Sequence, residues 1–224
     1  MDSVIWDTQR QSRTGIAEAV FCVNKSPDDL QKIIQLHKDN QIPVLLTRLT
    51  PSQWSTLPRE YTELLDYCEL SQTAMLNVNN INSGNFDEFS ICIVTAGTSD
   101  LNIAKETQRT LYFNGCNTPI YADLGVAGLW RLMDKITEIR QYKIIIALAG
   151  MEGALFSVLA GLVQAPVIAV PTSVGYGVST GGNTALNGAL ASCAPGILTM
   201  NIDNGFGAAT AAIKILNQFS YPEL

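Results

Sequence analysis

The chain has 224 residues, enough to bury a substantial core as one large α/β domain or a domain with a small appendage. Fourteen Lys and Arg against twenty Asp and Glu give a formal charge of −6, which argues against nucleic-acid binding, because a phosphate backbone needs a basic face. Only 15% of residues are charged while 47% are apolar, a balance expected where copies of a chain cover one another.

In chain order, the opening MDSVIWDTQR lacks a basic start before an apolar run, so no signal peptide is expected. Ala19–Val23 reads as a strand. Ser26-Pro-Asp-Asp then opens a helix to about Asp39, with a Ser cap, Pro in the first turn and acids at the positive end. Ile42–Thr47 is a second strand, making a small β-α-β-like piece that reads as a cap or contact domain. Asn77–Asn85 is turn chemistry and divides the chain into a small N-terminal α/β domain, 1–85, and a main domain, 86–224. There the pattern alternates: strand 89–95, helix 101–114, strand 118–122, helix 129–142, strand 143–149, a helix opened by Gly150–Gly153 and running to Leu162, strand 167–170, helix 184–192 and strand 197–202. Such alternation predicts a doubly wound parallel sheet, with ligands outside the carboxyl ends of its strands.

Residues 153–202 contain no Asp, Glu, Lys, Arg or His. Three prolines and eight glycines interrupt this run, so it is read as an interior or subunit-covered segment and not as a membrane span. The five cysteines form no C-x-x-C and are odd in number, so reduced cytoplasmic thiols are expected.

Several residues could carry chemistry, each with a plainer alternative. Thr98, Ser99 and Asp100 follow the first main-domain strand, where hydroxyls and amides can hold an anion, or where Ser99 or Asp100 merely caps the helix. The loop Pro171–Gly182 fits neither the dinucleotide fingerprint nor the P-loop, yet its glycines permit close backbone approach to a ligand; the alternative is a flexible surface loop. Glu152 follows a buried strand and is expected to be desolvated, hence suited to acid–base work, or else is another charge at a helix start. Asp123 holds the equivalent place after its strand. Cys193 precedes Ala-Pro-Gly at a helix's negative end, which by itself favours an inert buried thiol. His37, the single histidine, reads as structural, so no Cys–His pair or Cys/His metal site is available to the main domain.

Six stretches in order, Gly97–Asp100, Asp123–Gly128, Ala149–Ala154, Pro166–Gly177, Ser192–Ala194 and Asn201–Gly207, resemble the LarB family, the carboxylase and hydrolase that opens nickel-pincer nucleotide biosynthesis. Arg10, Arg13-Thr-Gly15, Glu18, Phe21 and Lys25 fit the family's opening pattern. Val23 stands where an acidic residue is expected, and Trp130 where His is common. The family's main domain is similar to the aminoimidazole ribonucleotide carboxylase of purine biosynthesis, which implies a homo-oligomer, an octamer.

The resemblance implies a substrate, nicotinic acid adenine dinucleotide, with NAD as an analogue, carboxylated on its pyridinium ring by CO2 from bicarbonate and cleaved to pyridinium-3,5-biscarboxylic acid mononucleotide and AMP. Cys193, Glu152 and Asp123 would be catalytic. Thr98, Ser99, Asp100, Gly125, Gly128, Gly150, Met151, Thr172, Ser173, Gly175, Tyr176, Gly177, Gly181 and Gly182 would bind substrate. Arg10, Arg13 and Lys25 could close over the phosphates as a lid. No tightly bound cofactor is implied, and Mg²⁺ could assist the phosphoanhydride step. The alternatives are the purine-pathway carboxylase itself, disfavoured because its family site carries a His that this main domain lacks, and a non-catalytic nucleotide-binding homologue.

Overall fold

A computed structural model describes residues 6–80 and 86–218. The N-terminal half opens with a short helix, α1 (Arg10–Thr14), and strand β1 (Ala19–Phe21). Helix α2 (Pro27–Asn40) follows, with the Ser26 hydroxyl accepting the Asp29 N–H at 3.1 Å as its cap. Strand β2 (Val44–Thr47) is fully buried. Two short helices, α3 (Pro51–Thr56) and α4 (Arg59–Thr62), lead into the hairpin of β3 (Asp66–Cys68) and β4 (Thr73–Leu76). The sheet order is β1-β2-β4-β3, with β1 parallel to β2 and the other pairs antiparallel. The sequence reading missed α1, α3, α4 and the hairpin, whose strands span only three or four residues. Val78–Asn80 forms a single 3-10 turn, and the rest of the expected linker, 81–85, lies outside the described residues.

The second sheet is built from β5 (Ile91–Thr95), β6 (Ile120–Tyr121), β7 (Ile144–Ala149), β8 (Val167–Pro171) and β9 (Ile197–Thr199). All its pairs are parallel and its order is β6-β5-β7-β8-β9. Strands β5, β7 and β8 are buried along their whole length, as central parallel strands must be. Helices α5 (Leu101–Phe113) and α9 (Gly205–Asn217) cover one face, packing Ala104, Leu111, Ala208, Ala212 and Ile213 on Ile93, Ile146 and Ile168. Helices α6 (Leu129–Ile139), α7 (Ala154–Leu162) and α8 (Asn183–Leu190) cover the other, with Leu132, Ile136, Phe156 and Leu159 among the buried side chains. The domain is therefore doubly wound, as the alternating pattern predicted. Helix α9 is an addition to that reading.

The two sheets are joined through α5, where Phe113 packs against Leu45 of β2 and Met75 of β4. Among the described residues, no helix is long and apolar enough to cross a membrane.

Candidate active site at the carboxyl ends of the second sheet

Numbered by appearance, the second sheet runs 2-1-3-4-5, so the chain reverses direction across the sheet between β5 and β7. In open α/β sheets ligands bind at that switch point, outside the carboxyl ends. The loops leaving these ends are bound tightly to one another. The Thr172 hydroxyl donates to Asp100 Oδ1 at 2.6 Å, while the Gly97 N–H donates to Asp100 Oδ2 at 2.9 Å. The Met151 N–H donates to the Val174 carbonyl at 2.9 Å. The Asp123 N–H donates to Thr95 Oγ1 at 3.2 Å. Gly150 lies so close to β8 that a Cβ there would collide with the Val174 carbonyl and stand 2.9 Å from the Thr172 hydroxyl. A Cβ on Gly125 would stand 2.7 Å from the Ala96 carbonyl. These two glycines serve close backbone approach.

Asp123, Met151 and Asp203 each hold a positive φ, at 62°, 52° and 56°. Non-glycine residues adopt that conformation at a cost of order 1–3 kcal/mol and concentrate where function constrains the backbone. Asp123 and Met151 stand just after the ends of β6 and β7, and Asp203 lies between β9 and α9.

Of the anion-holding loop, Thr98 and Ser99 are exposed and free to face a ligand, whereas Asp100 is buried. Asp100 faces inward and ties the loop after β5 to the end of β8. Burial pushes its carboxyl above the ordinary 3.8; the bonds from Thr172 and Gly97 oppose the rise, and the charge of Asp203 adds to it.

The loop after β8 is folded on itself. The Ser179 N–H donates to the Tyr176 carbonyl at 3.0 Å, the Thr180 hydroxyl to Gly177 at 2.9 Å and the Thr184 hydroxyl to Val178 at 2.7 Å. Gly182 takes φ 81° against the Thr172 carbonyl, a combination that a side chain would disturb. Ser173, Tyr176, Gly177 and Gly181 are exposed along it, and Gly175 is half-buried. The segment thus lies at the surface and carries three hydrogen bonds of its own.

Asp123 forms an ion pair with Arg131 of α6. Gly128 makes room for that guanidinium, since a Cβ would stand 2.8 Å from Arg131 Nε. Arg131 Nε is itself buried without a hydrogen-bond partner. Sequence reasoning missed Arg131. The signal was present in the eight-residue spacing from Asp123, but nothing in it shows that the two side chains meet.

Two expectations need correction. Glu152 is exposed, so the desolvation anticipated from the buried strand before it is lacking in the isolated chain: the chain turns outward between Gly150 and Gly153 before α7 begins. Cys193 is also exposed and is no buried inert thiol. It sits on the flank of α7 and α8 rather than among the carboxyl-end loops. Its neighbour Ser192 places Oγ 2.7 Å from Ser157 Oγ of α7, and the Gly196 carbonyl accepts the Val167 N–H at the start of β8. Burial pushes the thiols of Cys92, Cys116 and Cys22 up, the last to about 12.

The basic residues expected to form a lid do not gather. Arg13 pairs with Asp7 at 2.5 Å, and Arg10 pairs with Asp7 and Glu18. The segment carrying them packs at the amino-end side of the second sheet, where Gly15 faces Asn217 and the Ala17 N–H reaches Asn114. Within one chain these two arginines stand away from the carboxyl ends. Lys25 follows the carboxyl end of β1, next to the carboxyl end of β2. His37 is buried, with Nδ1 3.3 Å from the Ile42 carbonyl and Trp6 edge-on at 4.2 Å, in keeping with a structural role.

Among the described residues, no group of three or more His, Cys, Asp or Glu could hold a metal ion. Three of the four carboxylates that follow the strand ends are already engaged, Asp100 by Thr172, Asp123 by Arg131 and Asp203 by Ser173, and Glu152 belongs to no cluster with them. The residues present thus do not assemble a donor set for a resident Mg²⁺.

A doubly wound sheet whose carboxyl-end loops meet at a switch point defines the class of open α/β folds that bind small molecules there. Residues 90–223 match the family model described as AIR carboxylase, and residues 1–79 match the one described as LarB/PurE-like N-terminal domain. The chain belongs to the AIR carboxylase family, in the LarB branch that joins this N-terminal domain to a PurE-like main domain. It is 37% identical over 211 residues to an uncharacterized protein of Methanocaldococcus jannaschii, covering 92% of this chain and 81% of that one. A crystal structure of a serine-to-aspartate variant of Treponema denticola PurE2 is similar at 16% identity and a TM-score of 0.44, over 58% of this chain and 89% of that one.

Proposed function

We propose that the protein carboxylates the pyridinium ring of nicotinic acid adenine dinucleotide and hydrolyses its phosphoanhydride. The family supports a carboxylase-type enzyme, and the observation that carries the finer reading is the Asp123–Arg131 pair. It sets a carboxylate and a cation side by side at the carboxyl end of β6, beside the loops of the switch point. A ring carboxylation needs a base, and a dinucleotide phosphate needs a cation.

A pyridinium ring is an electron sink and cannot attack CO2. Addition of the Cys193 thiolate at ring carbon 4 forms a C–S bond and cancels the ring charge, leaving a dienamine whose carbon 5 is nucleophilic. Carbon 5 then bonds to CO2, Asp123 or Glu152 takes its proton, and the C–S bond breaks to return thiolate and aromaticity. Water attack on the phosphoanhydride releases AMP, with Arg131 neutralising charge on the phosphate oxygens. Thr98, Ser99 and the exposed glycine-rich loop residues would anchor the dinucleotide. Cys193 stands exposed on the flank, so we propose that it serves a site on a neighbouring copy.

The test supplies either nicotinic acid adenine dinucleotide or aminoimidazole ribonucleotide with labelled bicarbonate. Label in a pyridine product accompanied by AMP supports the reading; label from the ribonucleotide alone assigns the chain to the purine-pathway reaction. Arg131→Ala is expected to slow AMP release about 100-fold. Mixing the inactive Cys193→Ala variant with the doubly substituted Asp123→Asn, Glu152→Gln variant is expected to restore activity if the thiol acts across copies.

A further inference from the structure

We infer that Arg48, a residue of the N-terminal domain, is a positioning residue that braces the substrate loop Ser173–Gly182 through Asp203. Arg48 follows β2 with φ 56°, a left-handed turn that directs it out of the first sheet. Its guanidinium forks onto Glu106 of α5, Nε to Oε1 at 3.0 Å and Nη2 to Oε2 at 3.2 Å. Nη2 also donates to the Asp203 carbonyl.

Glu106 is nearly fully buried, its side chain 3% exposed. Gly205 lies against it, where a Cβ would stand 3.1 Å from Oε2, so α9 can approach α5 closely only at a glycine. A planar fork on a buried carboxylate fixes the guanidinium in direction as well as place. The third bond, to Asp203, then has one orientation available.

Asp203 passes the constraint on. Its N–H donates to the Pro171 carbonyl at 2.8 Å, and its Oδ1 accepts the Ser173 N–H at 2.8 Å. Pro171 ends β8 and Ser173 starts the loop. Between them Thr172 donates to Asp100, whose Oδ2 holds the Gly97 N–H. A continuous set of bonds therefore runs from the first sheet to the loop after β8 and on to the loop after β5, which borders the switch point. The N-terminal domain contributes a brace, where the sequence suggested a lid.

The catalytic half of this inference rests on the carboxylation reading, and its loop half does not. Arg48→Ala leaves Glu106 buried and unpaired and could fail to fold, so the working variant is Arg48→Met with Glu106→Gln, which removes both charges together. Arg48→Lys keeps the charge and loses the fork. Hydrogen exchange is followed by peptide in the full-length protein, and kcat and KM are measured with nicotinic acid adenine dinucleotide.

In the double variant, faster exchange is expected in 173–182 with β7 exchanging as in wild type, and kcat is expected to fall about 100-fold, the cost of misplacing a reacting group by about 1 Å. Arg48→Lys is expected to lie between. Wild-type exchange in 173–182 in the folded double variant overturns the brace, as does equal loosening of β7. A wild-type protein that does not carboxylate the dinucleotide refutes the functional reading and leaves the exchange result to decide the brace.

Discussion

At the scale of single residues, the site's carboxylates are sorted by what holds them. Asp100 is buried and accepts two hydrogen bonds, Asp123 pairs with Arg131, and Glu152 faces outward. Burial raises Asp100 above 3.8, so the folded chain holds its proton to higher pH than the unfolded chain. Its contribution to stability is fully present below 3.8 and is lost as pH rises through the raised value. Asp100→Asn removes that dependence. The melting temperature of wild type minus that of Asp100→Asn is expected to fall as pH is raised from about 4; a difference that rises over the same range contradicts the account. The residue types at these positions were legible in the sequence, their partners were not. Thr172 meets Asp100 across 72 residues, and no local pattern encodes that contact. Arg131 escaped notice although it lies only eight residues from Asp123, because a spacing does not show that two side chains turn toward each other across a loop and a helix start.

At the scale of elements, periodicity and caps carried the prediction far. The β-branched run 91–95 and the apolar run 144–149 read as central parallel strands and are wholly buried. Ser26-Pro-Asp-Asp gave the start of α2 by its cap chemistry. The N-terminal hairpin was missed because Asp66–Cys68 and Thr73–Leu76 are too short to show alternation, and register there is set by contacts with β2. Helix α9 follows Asn204, whose side chain accepts the Gly207 N–H, but its Ala- and Gly-rich start blurred the signal. Glycine roles separate cleanly in the structure. Gly150→Ala drives a methyl into the Val174 carbonyl and is expected to cost about 1–3 kcal/mol in chemical denaturation. Gly161→Ala, in α7 with nothing within 4 Å of the added carbon, is expected to stabilise by about 0.5 kcal/mol. If both substitutions shift stability equally, the close approach at Gly150 is not what fixes β7 against β8.

At the scale of the whole molecule, the uncharged stretch 153–202 is interior only in part. Val178 is 93% exposed, and Tyr176, Leu190 and Leu198 in the same stretch are exposed as well, as are Leu129, Trp130 and Met133 of α6. Leu129, Trp130 and Met133 stand on adjacent turns of α6, and apolar side chains exposed side by side in this way mark association surfaces. We expect light scattering to give eight times the mass of one chain. Leu190→Lys with Trp130→Glu is expected to yield smaller species and a loss of carboxylation, since Cys193 lies three residues beyond Leu190. A monomeric wild type that retains activity contradicts that expectation.

The proposed covalent catalysis by sulfur at position 193 is tested most directly by one comparison. Wild type and Cys193→Ala are incubated with nicotinic acid adenine dinucleotide and labelled bicarbonate, and label in the pyridine product is counted. The substitution is on the surface and is expected to change stability by less than about 0.5 kcal/mol, so both proteins should be equally folded. The account predicts incorporation by wild type and none above background by Cys193→Ala. Equal incorporation by the two would contradict it.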